Sequence, residues 1–285
     1  MAADEKYIIK KIFNNNVILA EDISSKRELI FIGRGIGFSR KNGERLIKSE
    51  INIDKEFAPI EGKKRENYIK LLEEVDSRVI GITEEIIAMV SRELDEELDQ
   101  HIRIGLADHI AFSLKRIRDG ISVTNPFLAE TRTLYSKEYN LAEKAVKMIA
   151  DRFELEIPES EVGFITLHIH GARNERGISK TLKNTSLIKE LVTKVEAELG
   201  EKLAYQSLNY ARLVNHLRFA LERIETEASH SNPLLENIKE NFDFSFQLAE
   251  KLAKIIENKF DYQVPEAEKG YLALHLNRLK RDLEL

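Results

Sequence analysis

The residues of this 285-residue chain best equipped for chemistry are four histidines: His109, His168, His216 and His275. A neutral imidazole can bind a metal, relay a proton or attack phosphorus near pH 7. Zinc is poorly served, because two histidines per site and no cysteine leave the ligand set short. His170, two residues beyond His168, would point to another helix face, and the equivalent later position is Asn277. A hydrolytic triad has no support either: Ser113 and Ser122 lack a nucleophile's setting and no Gly-x-Ser-x-Gly occurs. Acceptance of a phosphoryl group fits better. It would add about −1.5 to −2 charges, enough to repack an interface. The bland alternative is four boundary histidines satisfied by hydrogen bonds.

What favours the chemical reading is repetition. Residues 106–168 laid without gaps on residues 213–275 agree at 23 of 63 positions. Leu106, His109, Phe112, Leu114, Arg116 and Ile117 recur as Leu213, His216, Phe219, Leu221, Arg223 and Ile224. Pro158, Glu159, Glu161, Gly163, Leu167 and His168 recur as Pro265, Glu266, Glu268, Gly270, Leu274 and His275. Aliphatic positions drift between copies (Ile110 against Leu217) while all four imidazoles persist, so the chain contains a duplicated module.

The elements that must hold these histidines read as helices. Ile102, Leu106, Ile110, Leu114 and Ile117 form a stripe of helical period that stops at Asp119-Gly120. Further helices are expected over 136–153 and from Pro158-Glu159 onward. An apolar stripe running from Tyr68 to Leu94 precedes them, residues 173–180 read as a joint, and the second copy repeats the plan.

The first 58 residues follow another period. Residues 6–13, 17–22 and 28–32 are β-rich, with turns at Asn14-Asn15-Asn16 and Ser24-Ser25-Lys26, and a last hairpin is expected around Asn42-Gly43. The stretch 49–65 reads as a linker. The result is an antiparallel meander of about four strands, near the lower limit for independent stability, so a second copy is expected to cover its apolar face. Gly33-Arg34-Gly35-Ile36-Gly37-Phe38 lacks the dinucleotide-fold spacing and a following helix. Its glycines, arginine and aromatic ring suit unpaired RNA bases and phosphate, although a glycine-rich bulge with a core phenylalanine also fits.

Charge is uneven. Residues 1–48 hold ten Lys/Arg against six Asp/Glu, a small basic head on a chain of net charge −5, which points to an anionic partner for the head. No apolar run is long enough to span a membrane, and neither a signal peptide nor a cysteine is present, so a cytoplasmic location is expected. A DNA-binding activator would need a helix-turn-helix in the head, and strands with turns disfavour it.

Together, Asn14-Asn15-Asn16-Val17, the glycine loop and the two Asp-His/Asn-His plus Leu-His modules resemble the BglG/SacY class of transcriptional antiterminators. The wording Leu106-Ala-Asp-His-Ile-Ala-Phe is most similar to the glucose-PTS subgroup. The resemblance implies a multidomain, non-enzymatic protein without cofactor or metal. A small antiparallel β RNA-binding domain (1–58) is followed by two all-α PTS-regulation domains (66–172 and 173–285). It implies a homodimer that grips a leader-RNA hairpin and prevents terminator formation. The RNA contacts would be Lys11, Asn16, Gly33, Arg34 and Phe38. Ser39-Arg40 departs from the lysine-rich continuation of the family, so Arg40 and Lys41 are only secondary candidates. The phosphorylated residues would be His109, His168, His216 and His275. The cytoplasmic EIIB domain of a sugar permease would modify the first module and switch the protein off, and the phosphocarrier HPr would act on the second. A PTS-regulated DNA-binding activator is the alternative.

Overall fold

The computed structural model describes residues 5–57, 71–174, 177–228, 231–260 and 262–283. The chain divides into two compact units, Met1–Asn125 with Lys137–Ile178, and Pro126–Ser136 with Ser179–Leu285.

The first unit begins with strands β1 (Lys6–Asn14), β2 (Val17–Asp22), β3 (Glu28–Ile32), β4 (Arg45–Ile47) and β5 (Lys55–Phe57). They form one sheet in the order β4-β1-β2-β3-β5, with every pairing antiparallel. The asparagine turn forms because the Asn16 amide donates to Asn14 Oδ1 at 2.7 Å. Two expectations need correction. A fifth strand, β5, lies in the stretch read as linker. The Asn42-Gly43 turn exists, with Gly43 at φ 86°, but the strand after it crosses to pair with β1, Tyr7 opposite Leu46.

Alternation along the strands sends Tyr7, Ile9, Ile18, Ala20, Phe31 and Leu46 to one side, where Ile36 from the glycine loop joins them. Val17, Ile30 and Ile32, at the alternate positions, are also buried. Part of the cover that a second copy was expected to supply comes from helix α1 (Ser77–Leu94), which lies against β1, β2 and β3. Asp76 caps α1 by accepting from the Arg78 amide at 2.8 Å. Gly81 permits the close approach, since a Cβ there would stand 2.1 Å from Asn14 Nδ2. The part of the expected stripe at Tyr68 falls outside the described residues.

Helices α2 (Ile102–Arg118), α4 (Ser136–Phe153) and α5 (Glu159–Arg173) complete this unit. As the sequence indicates, α2 ends just before Gly120, which takes φ 71°. Between α2 and α4 in the chain lies a short helix, α3 (Leu128–Leu134), which belongs to the second unit: Tyr210 Oη donates to Glu130 Oε1 at 2.9 Å.

The second unit contains α6 (Gly177–Leu199), α7 (Leu208–Glu225), α8 (Leu235–Asn241), α9 (Asp243–Lys259) and α10 (Glu266–Asp282). The region read as a joint is therefore already helical from Gly177. One apolar core runs through these helices, with Leu191, Tyr210, Val214, Leu217, Leu248, Leu252 and Leu272 among its members.

Candidate functional site

In the first unit, α2 presents His109 and α5 presents His168, and the two rings meet with centroids 5.2 Å apart at 44°. The His109 Nε2–H donates to Glu161 Oε2 at 3.0 Å, and Arg116 Nη2 donates to the other carboxylate oxygen at 3.1 Å. This bond fixes the orientation of the His109 ring by its Nε2. Burial works to raise the Glu161 carboxyl, but hydrogen bonds from His109 and Ser113 and the charge of Arg116 hold it below the ordinary range. Burial, reinforced by His109, pushes His168 down to about 3, so this ring is neutral and nucleophilic across the physiological range. Gly105, one turn before His109, lets the helices close on this ring: a Cβ there would stand 3.4 Å from it.

The second unit uses the same residues in another arrangement. His216 on α7 and His275 on α10 stack at 3.3 Å and 16°. Glu268, the counterpart of Glu161, takes a two-pronged bond from Arg223 at 2.9 and 2.7 Å. Burial first, then Arg223, Arg278 and Arg212, lower His216. Burial, His216, Arg223 and Arg278 push His275 down to about 4. Each module thus brings two imidazoles together on facing helices, and in each the ring on the later helix, His168 or His275, is held neutral by burial. His170 stands apart, bonded to Glu138 at 3.0 Å. Burial would raise the Glu138 carboxyl, yet its bonds to His170 and Arg173 hold it near 2. Among the described residues, no group of three or more His, Cys, Asp or Glu could hold a metal ion.

On the head, Asn16 organises the glycine loop. Its backbone carbonyl accepts from the Gly33 amide and its Oδ1 from the Gly35 amide, both at 3.0 Å. Gly33 serves packing, since a Cβ there would lie 2.0 Å from the Asn52 carbonyl oxygen. Arg34 is exposed, and Phe38 stands 66% exposed, which rejects the core-phenylalanine reading. Lys11 differs from its neighbours: its amine donates to the Leu72 carbonyl. Asn16, Gly33 and Arg34 form one wall of a cleft of about 710 Å³ whose other wall carries Glu85, Arg92, Asp95, Glu96 and Glu97. Asn14 Nδ2 donates to Glu85 Oε1 at 2.8 Å and Lys55 pairs with Glu97 at 2.6 Å, so the head is tied to acidic groups of the first module.

Sequence reasoning passed over Arg116, Glu161 and their counterparts as site residues, although their identity in both copies was the signal. The acidic wall left no such signal, because it comes from residues far from the loop in the chain.

A β head with an exposed arginine and aromatic ring, joined to two helical modules each bearing paired imidazoles, defines a modular regulator. Residues 7–66 match the CAT RNA binding domain family, and residues 84–172 and 189–279 match the PRD domain family. The chain is 38% identical over 275 residues to the PtsGHI operon antiterminator of Bacillus subtilis (strain 168), covering 96% of this chain and 97% of the relative. It is 31% identical over 280 residues to the GlcA/glcB genes antiterminator of Staphylococcus carnosus (strain TM300), covering 98% and 97%. A solved structure described as the crystal structure of GlcT CAT-PRDI is 39% identical, with TM-score 0.49, and covers 59% of this chain and 98% of its own. The chain belongs to the transcriptional antiterminators built from a CAT RNA-binding domain and two PTS-regulation domains, in their glucose-PTS subgroup.

Proposed function

We propose that this antiterminator reads glucose-PTS activity through its four histidines and acts on a leader-RNA hairpin of glucose-uptake genes as a homodimer in the cytoplasm. Its working parts would be an RNA-binding head (1–58), a first regulatory domain (66–172) and a second (173–285). The observation that carries the reading is the meeting, in each module, of two imidazoles from facing helices. Neutral rings are competent nucleophiles toward a phosphoryl donor at cytoplasmic pH. Transfer breaks the bond between phosphorus and the donor side chain and forms a P–N bond on the acceptor ring. The leaving side chain takes the bonding pair, and the proton that the acceptor ring gives up passes to it through water.

In the first module the arriving dianion would meet the Glu161 carboxylate that already holds His109. Like charges at that distance repel, so phosphorylation would break the His109–Glu161–Arg116 bridge and loosen α2 from α5. The donor would be the EIIB domain of the sugar permease when sugar is scarce, with HPr acting on the second module. On the head, Arg34 and Phe38 would contact RNA directly, with Asn16 and Gly33 shaping the loop. Lys11 would reach RNA only after releasing Leu72.

The test is an electrophoretic mobility shift at fixed salt with a leader hairpin of the glucose operon. Arg34→Ala should weaken binding about tenfold with the fold intact, as loss of one charged contact of about 1.5–3 kcal/mol implies. Unchanged affinity would remove the loop from the RNA interface.

A further inference from the structure

Overlaying the two modules at their internal offset reveals two substitutions beside the histidine pairs. Where the first module has Gly105 and Gly171, the second has Arg212 and Arg278. These are not neutral surface changes. Arg212 lies one helical turn before His216 on α7, and Arg278 lies three residues after His275 on α10. Both arginines, both histidines and Asp282 line one cleft of about 60 Å³. Since roughly 10–15 Å³ of such space admits a water, the cleft accepts a group the size of phosphoryl.

The arginines have donors to spare. Their shared partner is Asp282, 3.7 Å from Arg212 Nη1 and 3.9 Å from Arg278 Nε, both beyond hydrogen-bond length. Each guanidinium carries five N–H donors in a planar fork that matches the oxygens of a phosphoryl group. Arg223, another nearby cation, turns its Nε and Nη2 to Glu268.

We propose that Arg212 and Arg278 are positioning residues that clamp a phosphoryl group placed on the His216–His275 pair, a receptor the first module lacks. The proposal rests on the phosphorylation reading above. It gives the second site a separate mechanical consequence: the phosphoryl oxygens draw one arginine from α7 and one from α10, displacing Asp282 and pinning the two helices together. In the first module the same group finds the edges of two glycines, with no added cation at either position.

The chemistry can be supplied without a protein donor. Potassium phosphoramidate transfers its phosphoryl group to imidazole: the ring lone pair attacks phosphorus, the P–N bond of the reagent breaks, and ammonia leaves with the electron pair and the proton lost by the ring. The full-length protein and an Arg212→Gln/Arg278→Gln variant would be treated, their phosphohistidines located by mass spectrometry, and amide hydrogen exchange compared before and after treatment. Phosphorylation of the wild type should slow exchange in α7 and α10 about tenfold, because a charged hydrogen bond is worth about that or more. The variant should take up phosphoryl on the same rings and show no slowing, while its untreated exchange matches the untreated wild type. Equal slowing in both proteins, or slowing in neither despite modified His216 or His275, would overturn the clamp and leave the phosphorylation reading standing. If neither phosphoramidate nor phosphorylated HPr modified any of the four histidines, the underlying reading and the clamp would both fall. A variant already loosened before treatment would show that the arginines brace the helices without an anion, which also overturns the proposal.

Discussion

The His168 ring makes the stability of the first module depend on pH in a calculable way. Burial and His109 pull its folded-state pKa from 6.5 to about 3. The folded state therefore binds fewer protons than the unfolded chain between those limits. Its stability is complete above pH 6.5 and is lost as the pH falls through that window. Each pH unit inside it costs about 1.4 kcal/mol, so lowering the pH from 7 to 5 removes about 2 kcal/mol. For a domain stabilised by about 5–15 kcal/mol, that is a large share. Replacing His168 with Gln keeps a neutral polar side chain and removes the titration. The assay is urea unfolding at pH 7 and pH 5, following a probe in the first unit, with an NMR titration of the His168 Cε1–H in parallel. Wild type should lose about 2 kcal/mol more than His168→Gln over this interval. His216 and His275 are common to both proteins and cancel in the difference. Parallel pH dependences, or a His168 resonance that titrates near 6.5, would refute the argument that this ring is desolvated.

Four further variants probe the contacts around the site and the glycine loop. Glu161→Gln should cost about 1–3 kcal/mol, because it leaves the half-buried Arg116 without its counter-charge, and should shift the nitrogen-15 resonances of the His109 ring. Gly33→Ala drives a Cβ into the Asn52 carbonyl and should cost about 1–3 kcal/mol or more, with loss of RNA binding. At Gly35 the Cβ would meet nothing, and only the left-handed φ of 73° resists, so Gly35→Ala should cost about 1–2 kcal/mol by urea unfolding. Glu85→Ala severs the bonds to Asn14 and Arg152 and removes charge from the acidic wall, so RNA affinity should rise. An unchanged mobility shift would show that this wall does not restrain the head.

The helices that carry the histidines were legible because each has a long stripe of one period and a clear stop. Gly120 ends α2, and Pro158 and Pro265 open α5 and α10. The head was legible in its first three strands, where apolar residues alternate and asparagine or serine turns intervene. β5 was missed because three residues between two loops cannot display a period, and the seven-residue helices α3 and α8 were missed for the same reason. Repetition pointed to the histidines but hid the arginines of the second site, since Arg212 and Arg278 occur where the copies disagree. The link from Asn14 to Glu85 spans 71 residues and depends on Gly81 letting α1 approach the sheet. No local pattern encodes such a contact.

In the mechanism proposed above, phosphoryl groups on the first-module imidazoles control the grip of the head on RNA. The most direct measurement incubates the full chain with a phosphorylated EIIB domain, maps phosphohistidine by mass spectrometry, and titrates the same sample with the leader hairpin. Modification at His109 or His168 should lower RNA affinity at least about tenfold, a coupling of about 1.4 kcal/mol, and a His109→Ala/His168→Ala protein should keep its affinity under the same treatment. Full RNA affinity in a sample whose first-module histidines are demonstrably phosphorylated would contradict it.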